Sequence, residues 1–265
     1  MEKGVPIRAI SRCISVLQAI NRRGSLSMME IAQTSGVPYP TACRIVQTLL
    51  HEKLIEREPA RKRYRPTMLV QSLSHGFQES DRLVACARPH IVDLTAKVTW
   101  PVSIATRVGQ QMMIRDSTHT MTSLTLNNYY PGYTLPILES AAGKAYLAFA
   151  SPDEQAAVLE AYRRGEGQVD PLTLQYAESG GMFADIIEAG VATKGRNPYT
   201  ATPGKTSSIG APIFNSEGVC GALVLVFFSS SMKMPDAVKQ YGDKLRAAAA
   251  LISRDLSEPL SRAAA

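Results

Sequence analysis

Two groups of side chains in this sequence have types and spacing suited to chemistry. The first is cationic and polar. Tyr39, Thr41, Arg44 and Gln47 recur at helical spacing, on the side away from Ala42, Ile45, Val46 and Leu49. Arginine holds guanine through two hydrogen bonds, and glutamine does the same for adenine. Arg61, Lys62 and Arg63 crowd one turn and suit a phosphate strand or a minor groove. Arg8 and Arg12, one helical turn apart, suit phosphate contacts. The second group suits a small organic anion. Ser140, Ala141 and Ala142 open a helix whose first N–H groups attract a carboxylate, and their small side chains let a ligand reach the backbone. Arg115 and His119 flank one strand end, within reach of a carboxylate or phenol. Tyr129, Tyr130, Tyr133 and Leu135 can cover an aromatic ring, and Ser207 and Ser208 open a strand that can hydrogen-bond to it.

Each assignment has a structural alternative. The arginines of the first helix suit an ordinary surface, and the small residues after Ser140 suit close packing on a sheet. Arg115 can pair with Asp116, His119 can be a satisfied structural histidine, and the tyrosines can be core. Met112, Met113, Val224 and Val226 read as wall or core. A hydrolase-like reading takes Cys220 or Ser208 as nucleophile with His119 as base. No G-x-S-x-G elbow is present, and Cys220 lies in an apolar run without an acidic orienter nearby. A DNA binder that needs no ligand is the other alternative. It leaves some 180 residues of sensor-like sequence without a role.

The elements that must position these residues follow from period and caps. Ile7, Ile10, Ile14, Leu17 and Ile20 predict one face of an opening helix. Ser27 with Glu30 has the form of a capping box, and Gly36 and Pro38 stop that helix. A second helix spans 41–50, with Pro40 in its first turn. Short strands at 54–57 and 64–67 flank the basic turn, completing a winged helix-turn-helix over 1–67. A linker helix over 68–83, with Leu69, Leu73 and Phe77 around Gly76, presents an apolar face that a two-fold dimer would bury. The effector domain, 84–265, reads as α+β, a central antiparallel sheet covered by helices. Its expected parts are a helix over 84–98 kinked or broken at Pro89, a hairpin over 102–118 and a loop or irregular strand over 123–137. After these come helices from 139 and 151, a loop-rich stretch over 165–180 and a helix over 182–189. A hairpin over 207–228 and a helix over 235–256 close the domain.

Charge agrees with this division. Residues 1–67 carry 12 Lys+Arg against 5 Asp+Glu, whereas the remaining 198 carry 17 against 18. A basic segment on a near-neutral body is the electrostatic footprint of a nucleic-acid-binding domain. The cysteines, Cys13, Cys43, Cys86 and Cys220, are too scattered for a zinc site or disulfide framework. No metal or cofactor is expected. The start of the chain lacks a signal-peptide core and no run of 18 apolar residues appears, so a cytoplasmic protein without membrane contact is expected.

Several stretches together resemble the IclR family of bacterial transcriptional regulators. They are RAISR at 8–12, SGVPYPTACR at 35–44, LPILESAAGKAYL at 135–147, and SIGAPIF at 208–214 with Gly218 and Gly221. The resemblance covers nearly the whole chain. It implies a GAF-like effector domain, a homodimer or dimer of dimers, an operator DNA and a small organic effector, with RNA polymerase as a possible further partner. It favours Ser208 over Ser207 as the ligand contact. VTWP at 98–101, IRDSTH at 114–119 and GALVLVF at 221–227 are similar to the branch that controls degradation of hydroxyphenylpropionate-type aromatic acids. Family members that bind small keto acids carry polar, serine-containing residues in the last strand. This chain has Leu225, Val226, Phe227 and Phe228 there, which suits a larger, more apolar ligand.

Overall fold

Ser27 and Glu30 form the capping box their spacing predicts: the Ser27 hydroxyl accepts from the Glu30 N–H at 3.4 Å, and the Glu30 carboxylate accepts from the Ser27 N–H at 2.7 Å. They start helix α2 (Met28–Ser35), which Gly36 ends in the left-handed region at φ 67°. The computed structural model describes residues 5–74, 79–126, 129–200 and 202–258. It divides into two units, residues 1–78 and 79–265. In the first unit α1 (Arg8–Arg23), α2 and α3 (Tyr39–His51) pack around Val16, Ile20, Ile31, Val46 and Leu49. A three-stranded sheet of β1 (Leu26–Ser27), β2 (Ile55–Arg57) and β3 (Arg63–Pro66) adjoins them in the order β1-β3-β2. Strand β1 was not expected from the sequence; two residues are too few to show a period.

The opening helix buries a different stripe from the one its isoleucines suggest. Val16, Ala19 and Ile20 face the core, while Ile7, Ile10 and Ile14 are exposed. The linker helix expected over 68–83 also differs: Met68–Ser74 is a 3-10 turn, and a long helix, α4, runs Glu79–Val98 in the second unit. Gly76 and Phe77 lie outside the described residues. Helix α4 passes through Pro89 without the expected break. Ala87, Ile91, Leu94 and Val98 pack into one core on either side of the missing hydrogen bond and hold the turns together.

The second unit is built on a six-stranded antiparallel sheet in the order β6-β5-β4-β9-β8-β7. Its strands are β4 (Val102–Val108), β5 (Gln111–Ser117), β6 (Thr134–Pro136), β7 (Ala192–Lys194), β8 (Thr206–Asn215) and β9 (Gly218–Phe228). One face carries Ile104, Ile209, Leu223, Leu225 and Phe227 against α4 and α9 (Met234–Ser257). The other face meets α5 (Ala141–Ala148), with α6 (Pro152–Arg163), α7 (Pro171–Glu178) and α8 (Gly181–Ala189) completing that side. Helix α7 lies in the stretch expected to be loop. Asp170 caps it by accepting from the Leu172 N–H at 3.1 Å, and Pro171 opens its first turn.

Helix α5 lies unusually close to its surroundings. A methyl group on Gly143 would come within 1.9 Å of the Ile137 carbonyl oxygen, and one on Gly210 within 2.6 Å of the Ala141 oxygen. Gly143→Ala is therefore expected to lower unfolding stability by about 1–3 kcal/mol in urea denaturation through overpacking. Gly195→Ala, where the added methyl meets nothing within 4 Å, should fall within about 0.5 kcal/mol of wild type. Equal stabilities for the two variants would contradict this packing.

Candidate functional site

The first unit gathers most of the cationic group. Thr41, Arg44 and Gln47 on α3 and Arg12 on α1 border one groove. Arg8 lies one turn before Arg12, exposed, and Tyr39 is exposed at the start of α3. Arg8, Arg12, Arg44, Arg61 and Lys62 form no ion pair among the described residues, so their charge is available to a polyanion. Arg63 departs from expectation. Its guanidinium pairs with Glu30 at 2.8 Å and donates to the Ser25 carbonyl oxygen at 2.9 Å and hydroxyl at 3.2 Å. The Glu30 carboxylate and the Ser25 oxygens draw it inward, so it clamps the wing to the start of α2. Arg61 and Lys62 are left exposed at the wing tip.

The second unit forms a narrow cavity of about 20 Å³ between α5 and the sheet. Tyr129, Leu135, Ser140, Ala141, Ala142 and Ser208 line it, as do Ser103, Ala105, Met112, Ile114, Asn197, Val224 and Val226. The strand register puts the wall residues side by side. Ser103 faces Val224, Ala105 faces Ile114, Met112 faces Leu135 and Ser208 faces Val226. The apolar wall therefore comes from four adjacent strands, with one polar end at the start of α5.

At that end the Ser140 hydroxyl accepts from the Gly143 N–H at 3.0 Å. The N–H groups of Ala141 and Ala142, first in the helix, have no intrahelical acceptor. The Asn197 amide donates to the Glu139 carbonyl oxygen at 3.2 Å, which fixes its side chain beside them. The buried Tyr129 phenol shares a 2.8 Å hydrogen bond with Thr206, and burial pushes it up to about 12. It is a neutral donor or acceptor at physiological pH. Ser103 donates to Ser117 at 2.9 Å.

Five residues of the anion group fall outside this lining: Arg115, His119, Tyr130, Tyr133 and Ser207. Arg115 follows Ile114 on β5, at the irregularity where the β4–β5 register shifts, and it does not line the cavity. Thr118 is tied to Thr95 of α4 and to the Val102 backbone, and His119 leaves the strand beyond it. Burial depresses the His119 imidazole below its usual range, with Asp116 opposing, and its Nδ1 is buried without a partner among the described residues. Tyr133 packs edge-on against Tyr129 at 6.0 Å, behind the wall rather than on it. Ser103 and Asn197 were missed by the sequence reading. Ser103 was legible in the alternation of β4; Asn197 lies in a connection whose path no period gives. Among the described residues no cationic side chain lines the cavity. The Cys220 thiol packs on the α4 and α9 side of the sheet and is pushed up to about 11 by burial, unsuited to nucleophilic attack.

Below this polar end, Glu139 is fully buried. It pairs with Lys194 and accepts from the Asp170 N–H at 2.7 Å.

The C-terminal domain of the bacterial transcriptional regulator IclR matches residues 77–254, and the IclR helix-turn-helix domain matches residues 9–59. The DNA-binding transcriptional repressor YiaJ of Escherichia coli is 25% identical over 238 residues, 86% of this chain and 80% of its own length. The HTH-type transcriptional regulator TtgV of Pseudomonas putida is 29% identical over 158 residues, 58% of this chain and 59% of its own. An IclR homologue from Microbacterium hydrocarbonoxydans, complexed with 4-hydroxybenzoate, superposes with a TM-score of 0.65 at 22% identity, covering 94% of this chain and 98% of its own. Among the described residues no helix is long and apolar enough to cross a membrane.

Removing one partner of a buried ion pair strands the other. Lys194→Met is expected to cost about 3–5 kcal/mol in chemical denaturation. The double variant Lys194→Met with Glu139→Gln should recover part of that loss; an additive loss would contradict the pairing.

Proposed function

The chain belongs to the IclR family of bacterial transcriptional regulators, and we propose that it controls a catabolic operon by sensing an aromatic carboxylate. The observation that carries this reading is the cavity lining: a broad apolar wall with one polar end and no cation. Met112, Ile114, Leu135, Val224 and Val226 accept the ring. The N–H groups of Ala141 and Ala142, with Ser208 and Asn197, hold the carboxylate. The similarity of residues 98–101, 114–119 and 221–227 to the aromatic-acid branch supports this. So does the 4-hydroxybenzoate bound to a homologue of the same fold. A small keto acid would leave the apolar wall in contact with water.

The cavity is far below the roughly 300–1,000 Å³ typical of small-molecule sites, so a ligand must move a wall to enter. Met112 is adaptable. Tyr129 and Tyr133 form the movable aromatic layer, and their displacement is the proposed signal. A ligand alters operator occupancy or polymerase recruitment only by its differential affinity for two states. The DNA-reading residues are Tyr39, Thr41, Arg44 and Gln47, with Arg8, Arg12, Arg61 and Lys62 on phosphate. The assembly is a homodimer or dimer of dimers. The exposed apolar stripe of Ile10, Ile14, Met68 and Leu73 supports this in the first unit.

Arg44→Ala is expected to weaken operator binding by about 1–3 kcal/mol and relax one base preference. Lys62→Ala should weaken all sequences alike and reduce the salt slope by about one. Unchanged binding for both would refute the groove assignment. In thermal melting, 4-hydroxybenzoate or hydroxyphenylpropionate should stabilise the protein by about 2.7 kcal/mol at a hundredfold excess over Kd. A panel in which only glyoxylate or pyruvate shifts the midpoint would overturn the aromatic reading.

A further inference from the structure

A second cavity, about 280 Å³, lies on the other flank of α5. Lys144 of α5 enters it, and its walls are Met182 and Ile186 of α8, Val191 and Val238 of α9. Lys144 is half-buried yet has no ion pair or hydrogen bond among the described residues. Glu139, whose charge acts on Lys144, is committed elsewhere: it holds Lys194 through one oxygen and the Asp170 N–H through the other. Burial and the neighbouring Lys194 ammonium both push the Lys144 amine below the usual lysine range, with Glu139 opposing. A cation drawn out of water without a counter-ion is costly, and a bound anion removes that cost.

We propose that this cavity is a second ligand site, which takes a small monocarboxylate with an apolar body on the Lys144 ammonium. The walls bury hydrocarbon. Asp185 also lines the cavity, bound by the Tyr176 hydroxyl, and its negative charge disfavours phosphate or dicarboxylates. The site is separate from the one at Ser140, yet both act on the same helix. Occupancy of either therefore changes affinity at the other by a common factor. The proposal does not depend on the first cavity taking an aromatic acid.

The test is fluorine NMR on the full chain with 4-fluorobenzoate and 6,6,6-trifluorohexanoate. Lys144→Met should weaken one binding event at least tenfold and leave the other event within about twofold of wild type. Without either probe, Lys144→Met should raise the melting midpoint, because it deletes an uncompensated charge; a merely structural lysine would lower it. Lys144→Gln, close in size and neutral, should repeat the binding loss and serves if the Met variant fails to fold. Absence of any Lys144-dependent binding of either probe at millimolar concentration overturns the proposal.

Discussion

Gly143 and Gly210 let two pairs of backbones touch, and the sensor unit depends on that contact. With no side chain at either position, α5 meets the Ile137 carbonyl on one side and the strand β8 on the other. The approach fixes where the first N–H groups of α5 stand relative to Ser208, Val224 and Val226. An extra methyl at either point would push the helix off the sheet and separate the polar end of the cavity from its apolar wall. The small residues after Ser140 thus do two things with one geometry. They permit close packing and leave the backbone open to a ligand.

Charge is distributed according to task. In the DNA-binding unit the cations at the groove and wing tip have no acidic partners among the described residues, as a surface for phosphate requires. Arg63 shows the other use of the same residue type, clamped between Glu30 and Ser25. In the sensor unit the logic reverses. Among the described residues no cation lines the cavity at the start of α5, so an anion there would rely on aligned backbone dipoles and hydroxyl groups in a dry setting. Glu139 and Lys194 neutralise one another beneath it.

Much of this was legible in the sequence because caps and periods are local. The Ser27–Glu30 box, the start of α5 at Ser140 and both long hairpins follow from residues a few positions apart. Six of the residues read as ligand contacts line one cavity. The misreadings have physical causes. Arg115 was grouped with the ligand by charge, but it sits where the β4–β5 register shifts and does not line the cavity. Arg63 was grouped with the wing tip because its partners, Ser25 and Glu30, are far away in sequence. Pro89 suggested a kink or a break, and the helix is unbroken there because packing on both sides outweighs one lost hydrogen bond. Asn197 had no periodic signal at all, since loop paths are set by what they pack against.

On the proposed function, backbone N–H groups, not a cationic side chain, receive the ligand carboxylate. Amide chemical shifts on titration with 4-hydroxybenzoate measure this directly. The Ala141 and Ala142 amide protons are expected to move downfield in saturable fashion, with one shared dissociation constant. If they stay fixed while the Arg115 and His119 signals follow the ligand, the carboxylate is held elsewhere, which would contradict the proposed site.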